Sequence, residues 1–258
     1  MIFGFLLNSK SDASKDRDVS KISRALKLFY RKSYSKIDML QPPLRTPFKT
    51  NLVNNYVQLS IVDADEVQKD FVYHTERSYY LQKLMSYRPI SYYDVFENET
   101  SLILISGIAG IGKTTLLKKH LLDWSHNLIL KNIDFLFYLE CRRINQYQNI
   151  SNINELINTF YKDILNDFNF SNYSVMLMID GLDEFKFLDE LINCSSKSNY
   201  PIVNALSEVQ KFKVVTSGRI SAISQYENAV RDINGKFSIQ IMGFNKSGIN
   251  YYIENIFI

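Results

Sequence analysis

The feature that most constrains this chain is a glycine-rich stretch at residues 107–115, which reads GIAGIGKTT. Its spacing matches G-x-x-x-x-G-K-[ST], the pattern of a phosphate-binding loop between a strand and a helix. The flanks agree with that context, because an apolar run, LILI, precedes the loop and a segment with an apolar face, LLKKHLL, follows it. An ordinary glycine-rich turn is the alternative, but such a turn needs neither the complete spacing nor both flanks.

Each residue type in this loop has a physical role toward an anion. Glycines let the backbone curl so that its N–H groups point at a phosphate, and the N-terminus of the following helix adds partial positive charge. We expect the ammonium of Lys113 to contact the terminal phosphates and the hydroxyl of Thr114 to ligate Mg²⁺. The predicted nucleotide-binding residues are Gly107, Ile108, Ala109, Gly110, Ile111, Gly112, Lys113, Thr114 and Thr115.

A second motif follows the apolar run at residues 174–179, which ends in Asp180-Gly-Leu-Asp183-Glu184. A buried strand that ends in Asp supplies the metal-supporting carboxylate of P-loop enzymes, so we assign Asp180 to Mg²⁺, opposite Thr114. The carboxylates of Asp183 and Glu184 are candidates to orient or polarise an attacking water. A solvated acidic turn is the alternative interpretation of the same five residues.

A third motif is VTSGR at residues 215–219, at the end of another apolar run. An arginine at this position can reach a γ-phosphate and report whether it is present, so Arg219 is a candidate phosphate sensor. An ordinary loop arginine explains this short motif equally well when it is taken alone.

Alternation of strand-like and helix-like segments predicts the fold class. Strands that are separated by helices imply right-handed crossover connections and a mainly parallel sheet. The ligands of such a sheet lie at the carboxyl ends of the strands. The phosphate loop, Asp180 and Thr216 all fall at such ends. We therefore predict an α/β P-loop NTPase sandwich of three layers, with a small N-terminal extension of helix and strand. The predicted strands are 101–106, 133–140, 174–179, 213–216 and 237–242, and the predicted helices are 116–122, 153–168 and 246–257.

Composition argues against several other classes of protein. Hydrophobic residues make up 46% of the 258, enough for a substantial core, and the net charge of +3 gives no footprint for nucleic acid. The two cysteines, Cys141 and Cys194, do not suggest a disulfide framework and fit a reducing compartment. The three histidines, His74, His120 and His126, lack partners at metal-ligand spacing.

The region before the phosphate loop is less informative. Polar residues 8–20 predict a flexible leader, and residues 19–34 predict a basic amphipathic helix that either packs on a neighbour or binds a membrane surface or partner. The proline-rich run at 41–47 predicts a linker, 56–62 a strand and 74–86 a helix. We divide the chain into a leader with amphipathic helix (1–45), a lead-in segment (46–100) and an NTPase core (101–258).

The chain has no obvious targeting or membrane segment. Its first residues, MIFGFLL, lack the preceding basic residue and the cleavage site of a signal peptide, and no stretch of 18 apolar residues follows. We therefore expect a cytoplasmic protein without a transmembrane segment.

Taken together, GIAGIGKTTLL, MLMIDGLDE and VVTSGR resemble the motifs of NACHT NTPases, the family that includes the NOD-like receptors. Gly181, a small residue after the first Asp, matches the most distinctive mark of that family, and FLFYLECR and MGF also resemble its members. The resemblance covers about residues 88–258. It implies that Lys113 and Thr114 bind phosphates and Mg²⁺ and that Asp180 supports the metal.

The resemblance also implies that Asp183 or Glu184 assists hydrolysis and that Arg219 is the phosphate sensor. The family's usual sensor run is Thr-Ser-Arg-Pro, whereas here Gly218 intervenes and Ile220 replaces the proline. Family members continue into helical, winged-helix and repeat domains. Because the winged-helix histidine that contacts nucleotide in the family has no counterpart in these 258 residues, we expect a fragment, a short isoform or a truncated gene product.

These observations lead to one main functional hypothesis and two alternatives. The main one is an ATP/ADP-dependent signalling switch of the NOD-like-receptor type, with slow Mg²⁺-dependent hydrolysis and, by resemblance, self-association or binding to other signalling proteins. A nucleotide-bound scaffold without turnover is the first alternative. A GTP-preferring enzyme is the second, although the Asn245-Lys246-Ser247-Gly248 run lacks the Asp that pairs with guanine.

Overall fold

A computed structural model describes residues 3–38, 49–71, 86–97, 99–194, 197–230 and 235–255 of the chain. The helices are α1 (Phe3–Tyr34), α2 (Ala64–Phe71), α3 (Tyr92–Glu97), α4 (Lys113–Ser125), α5 (Cys141–Ile144), α6 (Ile153–Phe160), α7 (Leu188–Asn193), α8 (Pro201–Ser207), α9 (Ile220–Ala229) and α10 (Lys246–Asn255). The strands are β1 (Lys36–Asp38), β2 (Lys49–Asn51), β3 (Leu59–Asp63), β4 (Leu102–Ser106), β5 (Phe135–Glu140), β6 (Val175–Asp180), β7 (Lys213–Gly218) and β8 (Lys236–Phe244). Short 3₁₀ turns occupy Leu182–Glu184 and Glu208–Lys211.

The central feature is a six-stranded sheet in the order β3-β8-β4-β7-β6-β5. Five strands run parallel, and β3 joins β8 antiparallel at one edge. Strands β4 and β6 are buried at every position, so both faces of the sheet are covered. Helix α4 contacts β5, β6 and β7, while α9 contacts β4 and β7. The predicted α/β class with a mainly parallel sheet is confirmed.

Helix α1 packs along α4, and Leu26 and Tyr30 on its inner face are fully buried. Of the two interpretations offered for residues 19–34, packing on a neighbour is therefore the one that the structure supports. The prediction of a flexible leader over residues 8–20 is wrong, because α1 is continuous from Phe3. Residues 8–20 contain no helix-breaking proline, so the helix formed by residues 19–34 continues back through them.

Several predicted bounds shift. The helix predicted over 153–168 ends at Phe160, where the chain turns, and the strand predicted over 56–62 is β3 at Leu59–Asp63. Of the helix predicted over 74–86, only residue 86 lies within the described residues. The short helices α5, α7, α8 and α9 were not predicted, because each is brief and packs through tertiary contacts rather than through a long apolar stripe.

Candidate functional site

The phosphate loop joins the end of β4 to the start of α4 and depends on glycine at its last position. Gly112 has φ of +109°, in the left-handed region that side chains disfavour. A Cβ at this position would also lie 3.0 Å from Leu59 Cδ1, on the neighbouring edge strand β3. The loop can therefore take its curled path into α4 only because residue 112 has no side chain.

The ammonium of Lys113 is turned back onto its own loop. Its Nζ donates hydrogen bonds to the carbonyl oxygens of Gly107 at 2.8 Å and Ile108 at 2.9 Å. Burial lowers the pKa of Lys113, and the nearby carboxylates of Asp183 and Asp180 act against that shift. The cation is thus held at the mouth of the loop, beside the acidic residues at the ends of the neighbouring strands.

Asp180 lies at the centre of the site and accepts three hydroxyl hydrogen bonds. Thr114 Oγ1 and Tyr138 OH each donate to Asp180 Oδ2 at 2.7 Å, and Ser217 Oγ donates to Oδ1 at 2.5 Å. These donors come from α4, β5 and β7, so the carboxylate gathers three elements around the end of β6. The side chain is 8% exposed.

No lysine, arginine or histidine of the described residues forms an ion pair with Asp180. The oxygens of Asp180 therefore have hydroxyl donors and no side-chain cation as an ion-pair partner. Oxygen ligands from a carboxylate and a hydroxyl are also what Mg²⁺ prefers. The donor set at Thr114 and Asp180 therefore fits the magnesium ion that the sequence predicts.

Two of the three hydroxyls at Asp180 were not predicted. Tyr138 lies within β5 and Ser217 within β7, and the polar strand-end residue singled out from sequence, Thr216, has a buried hydroxyl without a partner. Burial and the negative charge of Asp180 raise the pKa of Tyr138 well above its usual value, so its hydroxyl stays a donor. The only sequence signal for Tyr138 is its hydroxyl, a polar group that follows three apolar residues of the predicted strand.

The two candidate water-orienting acids are each paired with an arginine. Asp183 accepts from the Nε of Arg219 at 2.9 Å and from its backbone N–H at 3.0 Å. Glu184 forms a two-point pair with Arg142, at 3.0 Å from Nε and 2.9 Å from Nη2. Arg219 therefore lies beside Asp183 despite the inserted Gly218, and both arginine side chains are exposed.

A cavity of about 350 Å³ connects these groups. It is lined by eight of the predicted site residues, namely Ala109, Gly110, Lys113, Thr114, Asp180, Asp183, Glu184 and Arg219, together with Gly181. Sequence reasoning missed Glu140, Arg142 and Arg143, which also line it. The remaining predicted loop residues, Gly107, Ile108, Ile111, Gly112 and Thr115, do not line the cavity.

A larger cavity of about 960 Å³ lies elsewhere, near the amino-terminal ends of β5, β6 and β7. Its lining includes Ile133, Val175 and Lys213 but no residue of the phosphate loop or of the acidic turn. Ligands of parallel sheets bind at the carboxyl ends of the strands. The smaller cavity is therefore the candidate site, because it lies at the carboxyl ends of the strands and is lined by the predicted site residues.

Comparisons with known proteins identify the family to which the chain is similar. The family model described as NACHT domain matches residues 101–258. The human protein "NACHT, LRR and PYD domains-containing protein 14" is 31% identical over 96 residues, which are 36% of this chain and 9% of that protein. The mouse protein "NACHT, LRR and PYD domains-containing protein 9B" is 25% identical over 199 residues, which are 70% of this chain and 19% of that protein.

The chain thus spans less than a fifth of the length of these curated relatives. Among solved structures, a DNA replication initiation factor overlaps 70% of this chain and 51% of its own, with a TM-score of 0.35 at 14% identity. That likeness is too weak to carry an argument. Within the part of the chain that the structure describes, no helix has the length and apolar character needed to cross a bilayer.

Proposed function

Because the chain belongs to the NACHT domain family, we propose that it binds a nucleoside triphosphate with Mg²⁺ in the cavity between the phosphate loop and Asp180. The observation that carries this proposal is the 2.7 Å hydrogen bond from Thr114 Oγ1 to Asp180 Oδ2. It joins the loop hydroxyl and the strand-end carboxylate that P-loop enzymes use together to hold magnesium. Membership of a P-loop NTPase family of the NOD-like-receptor type supports the same assignment.

We assign separate tasks to the residues around the cavity. Backbone N–H groups of residues 107–112 and the Lys113 ammonium would bind the phosphates, and Thr114 with Asp180 would hold the magnesium ion. Bound there, Mg²⁺ would neutralise phosphate charge. Asp183 and Glu184 would orient a water, and Arg219 would contact the γ-phosphate.

The pairing of Arg219 with Asp183 suggests how the nucleotide would act as a switch. A γ-phosphate carries more negative charge than Asp183 and would compete for the exposed Arg219 guanidinium, whose Nε lies 2.9 Å from that carboxylate. Loss of the γ-phosphate would return Arg219 to Asp183. We propose that this exchange links ATP and ADP states to self-association or to binding of other signalling proteins.

We propose ATP as the nucleotide and slow Mg²⁺-dependent hydrolysis as the reaction. The division at residues 1–45, 46–100 and 101–258 remains our proposed domain organisation. We also propose a reducing, cytoplasmic location, which the small number of cysteines, Cys141 and Cys194, supports. Nucleic acid is not among the partners that we propose.

Titration with a fluorescent ATP analogue in the presence of Mg²⁺ tests the binding site. Lys113→Ala should weaken binding by about tenfold or more, since Lys113 is the only lysine among the described residues that line the cavity. Lys131→Ala is the matched control, because Lys131 is exposed and lines the larger cavity at the opposite end of the sheet. Equal affinity for wild type and Lys113→Ala would show that the site is misassigned.

A second candidate is a nucleotide-bound scaffold that does not turn over. One observation favours it: both candidate water-orienting acids, Asp183 and Glu184, are occupied by arginines. Phosphate release separates the two candidates, because Glu184→Gln should lower the rate of an enzyme and leave a scaffold unchanged. Competition of the bound ATP analogue by GTP tests the remaining alternative, a GTP-preferring protein.

A further inference from the structure

Helix α1 reaches the core of the NTPase through a buried tyrosine. Tyr30 is fully buried, and its hydroxyl donates to the carbonyl oxygen of Leu136 on β5 at 2.6 Å. The same hydroxyl lies 2.9 Å from the hydroxyl of Tyr161, which follows α6. A buried tyrosine hydroxyl needs such partners, so α1 is fixed to β5 by polar contacts as well as by apolar packing.

Tyr161 makes the next contacts along the same strand. Its hydroxyl accepts from the backbone N–H of Tyr138 at 2.8 Å and donates to the carbonyl oxygen of Tyr138 at 2.9 Å. In the described sheet β5 is an edge strand, paired only with β6. The two tyrosine hydroxyls thus satisfy the backbone groups at Leu136 and Tyr138 that a further strand would otherwise pair.

The side chain of Tyr138 connects this contact to the candidate cation site. Its ring packs edge-on against Tyr34 of α1, with ring centres 5.7 Å apart, and Tyr34 stacks on Tyr30 at 5.9 Å. Its hydroxyl donates to Asp180 Oδ2 at 2.7 Å. Helix α1 therefore contacts the ring of Tyr138 through Tyr34 and reaches its backbone through Tyr161.

We propose that Tyr138 is a positioning residue for the cation site and that α1, through Tyr30 and Tyr34, holds Tyr138 in place, so that docking of α1 sets the affinity for Mg²⁺. This inference rests on the proposed function, in which Asp180 supports the magnesium ion. Residues that orient a metal-supporting group by hydrogen bonding typically change metal affinity 10- to 100-fold when they are removed.

A purely apolar role for Tyr138 explains the structure less well. Elsewhere in β5, on the opposite face of the strand, Phe135 and Phe137 are fully buried, so this strand accommodates rings without a hydroxyl. At position 138 the hydroxyl is present, and it donates to the one carboxylate in the cavity that lacks a cation. The hydroxyl, rather than the ring, is therefore the group to test.

The test measures the Mg²⁺ dependence of nucleotide binding and does not require turnover. A fluorescent ATP analogue is titrated at fixed concentration with Mg²⁺, and the half-saturating Mg²⁺ concentration is compared among variants. Tyr138→Phe should raise this concentration about tenfold, with binding of the analogue in EDTA unchanged. Tyr34→Leu, which removes the α1 ring but no group at the cavity, should have a smaller effect and raise it about threefold, because the Tyr138 hydroxyl is kept but is held less firmly.

The control is Tyr226→Phe, which removes another buried tyrosine hydroxyl, on α9. It should leave the Mg²⁺ requirement unchanged even where thermal unfolding shows some loss of stability. In the double variant of Tyr34 and Tyr138 the two effects should not multiply, because both act through one hydroxyl. If Tyr138→Phe does not fold, Tyr34→Leu decides the inference alone.

The outcomes separate this inference from the function on which it rests. An unchanged Mg²⁺ requirement in Tyr138→Phe, in a wild type that binds nucleotide with Mg²⁺, overturns the role of Tyr138 and leaves the proposed function standing. An unchanged requirement in Tyr34→Leu alone overturns the role of α1. A wild type whose binding does not depend on Mg²⁺ overturns the proposed function and this inference together.

Discussion

Among the residues that the structure describes, two carboxylates are buried, Asp123 on α4 and Asp180 at the end of β6, and their surroundings differ. Asp123 is 1% exposed, with Lys119 Nζ at 2.6 Å from both oxygens and the Tyr92 hydroxyl at 2.9 Å. Asp180 is 8% exposed and has hydroxyl donors only. Both carboxylates bond to a tyrosine, but only Asp123 has a cation within its own helix.

The difference separates a structural charge from a functional one. A buried ion pair such as Lys119 with Asp123 is complete, and removing either partner leaves an uncompensated charge. Asp180 has both oxygens hydrogen-bonded to hydroxyls but no side-chain cation in an ion pair, and a carboxylate beside a hydroxyl is a ligand set that suits Mg²⁺. Asp123 and Asp180 are similar in burial, and it is the identity of their hydrogen-bond partners that distinguishes them.

The largest expected effect comes from replacing each carboxylate by its amide. Asp123→Asn should lower the free energy of unfolding by about 3 kcal/mol, because Lys119 is left nearly buried without its partner. Asp180→Asn should lower it by less, about 1.5 kcal/mol, because its donors are hydroxyls and no buried cation is left without a partner. Denaturant unfolding without nucleotide measures both, and equal losses would contradict the distinction.

Ligand stabilisation should show the reverse order. At 100 times the dissociation constant, ATP with Mg²⁺ should stabilise the wild type by about 2.7 kcal/mol. The Asp123→Asn variant should gain a similar amount, while Asp180→Asn should gain little because Mg²⁺ has lost its carboxylate. Thermal unfolding with and without MgATP, with EDTA as the control, checks this, and full stabilisation of Asp180→Asn would contradict it.

Acid should act on the Asp123 region through His120, whose ring stacks on Phe96 with centres 3.7 Å apart. Burial, with the charges of Lys213 and Lys119, lowers the pKa of His120 well below its usual value. The unfolded chain therefore binds a proton near pH 6.5 that the folded protein does not. The free energy of unfolding should fall by up to about 1.4 kcal/mol per pH unit below that value.

His120→Gln should reduce this slope between pH 6.5 and 5. The control variant is His126→Gln, since His126 is exposed and lies at the end of the same helix. Denaturant unfolding at several pH values gives the slope directly. If the slope is the same in wild type and His120→Gln, His120 is not the group responsible.

The smallest effect on stability should come from the exposed arginine at the cavity. Arg142 is 81% exposed and its partner Glu184 43% exposed, so Arg142→Ala should change the free energy of unfolding by less than about 1 kcal/mol. The same variant should alter phosphate release, because it frees the Glu184 carboxylate. A large loss of stability would show that this pair belongs with Lys119 and Asp123 instead.

The parts of the site that could be predicted from sequence are those carried by local motifs. The phosphate loop and Asp180 each follow an apolar run, and a polar or glycine-rich motif after such a run marks the end of a strand. The class of sheet followed from the same alternation. Neither inference required knowledge of which strands are neighbours.

Tyr138, Ser217 and Arg142 could not be predicted for the opposite reason. Each reaches the acidic turn across 37 to 42 residues of sequence, and each contact exists because β6 lies between β5 and β7. Strand order is a property of the whole fold, and no local pattern encodes it. The helical state of residues 8–20 was missed for a related reason, since α1 is stabilised by packing on α4.

The cover that Tyr30 and Tyr161 provide over β5 has a consequence for solubility. The strand reads FLFYLE, a short apolar segment of high β-propensity, and an uncovered edge of this kind is a template for adding strands from other molecules. A protein shortened past α1 would keep the Tyr161 contacts but would lose the Tyr30 contact to Leu136, together with the rings that cover this strand. We therefore expect removal of α1 to make the protein more prone to aggregate.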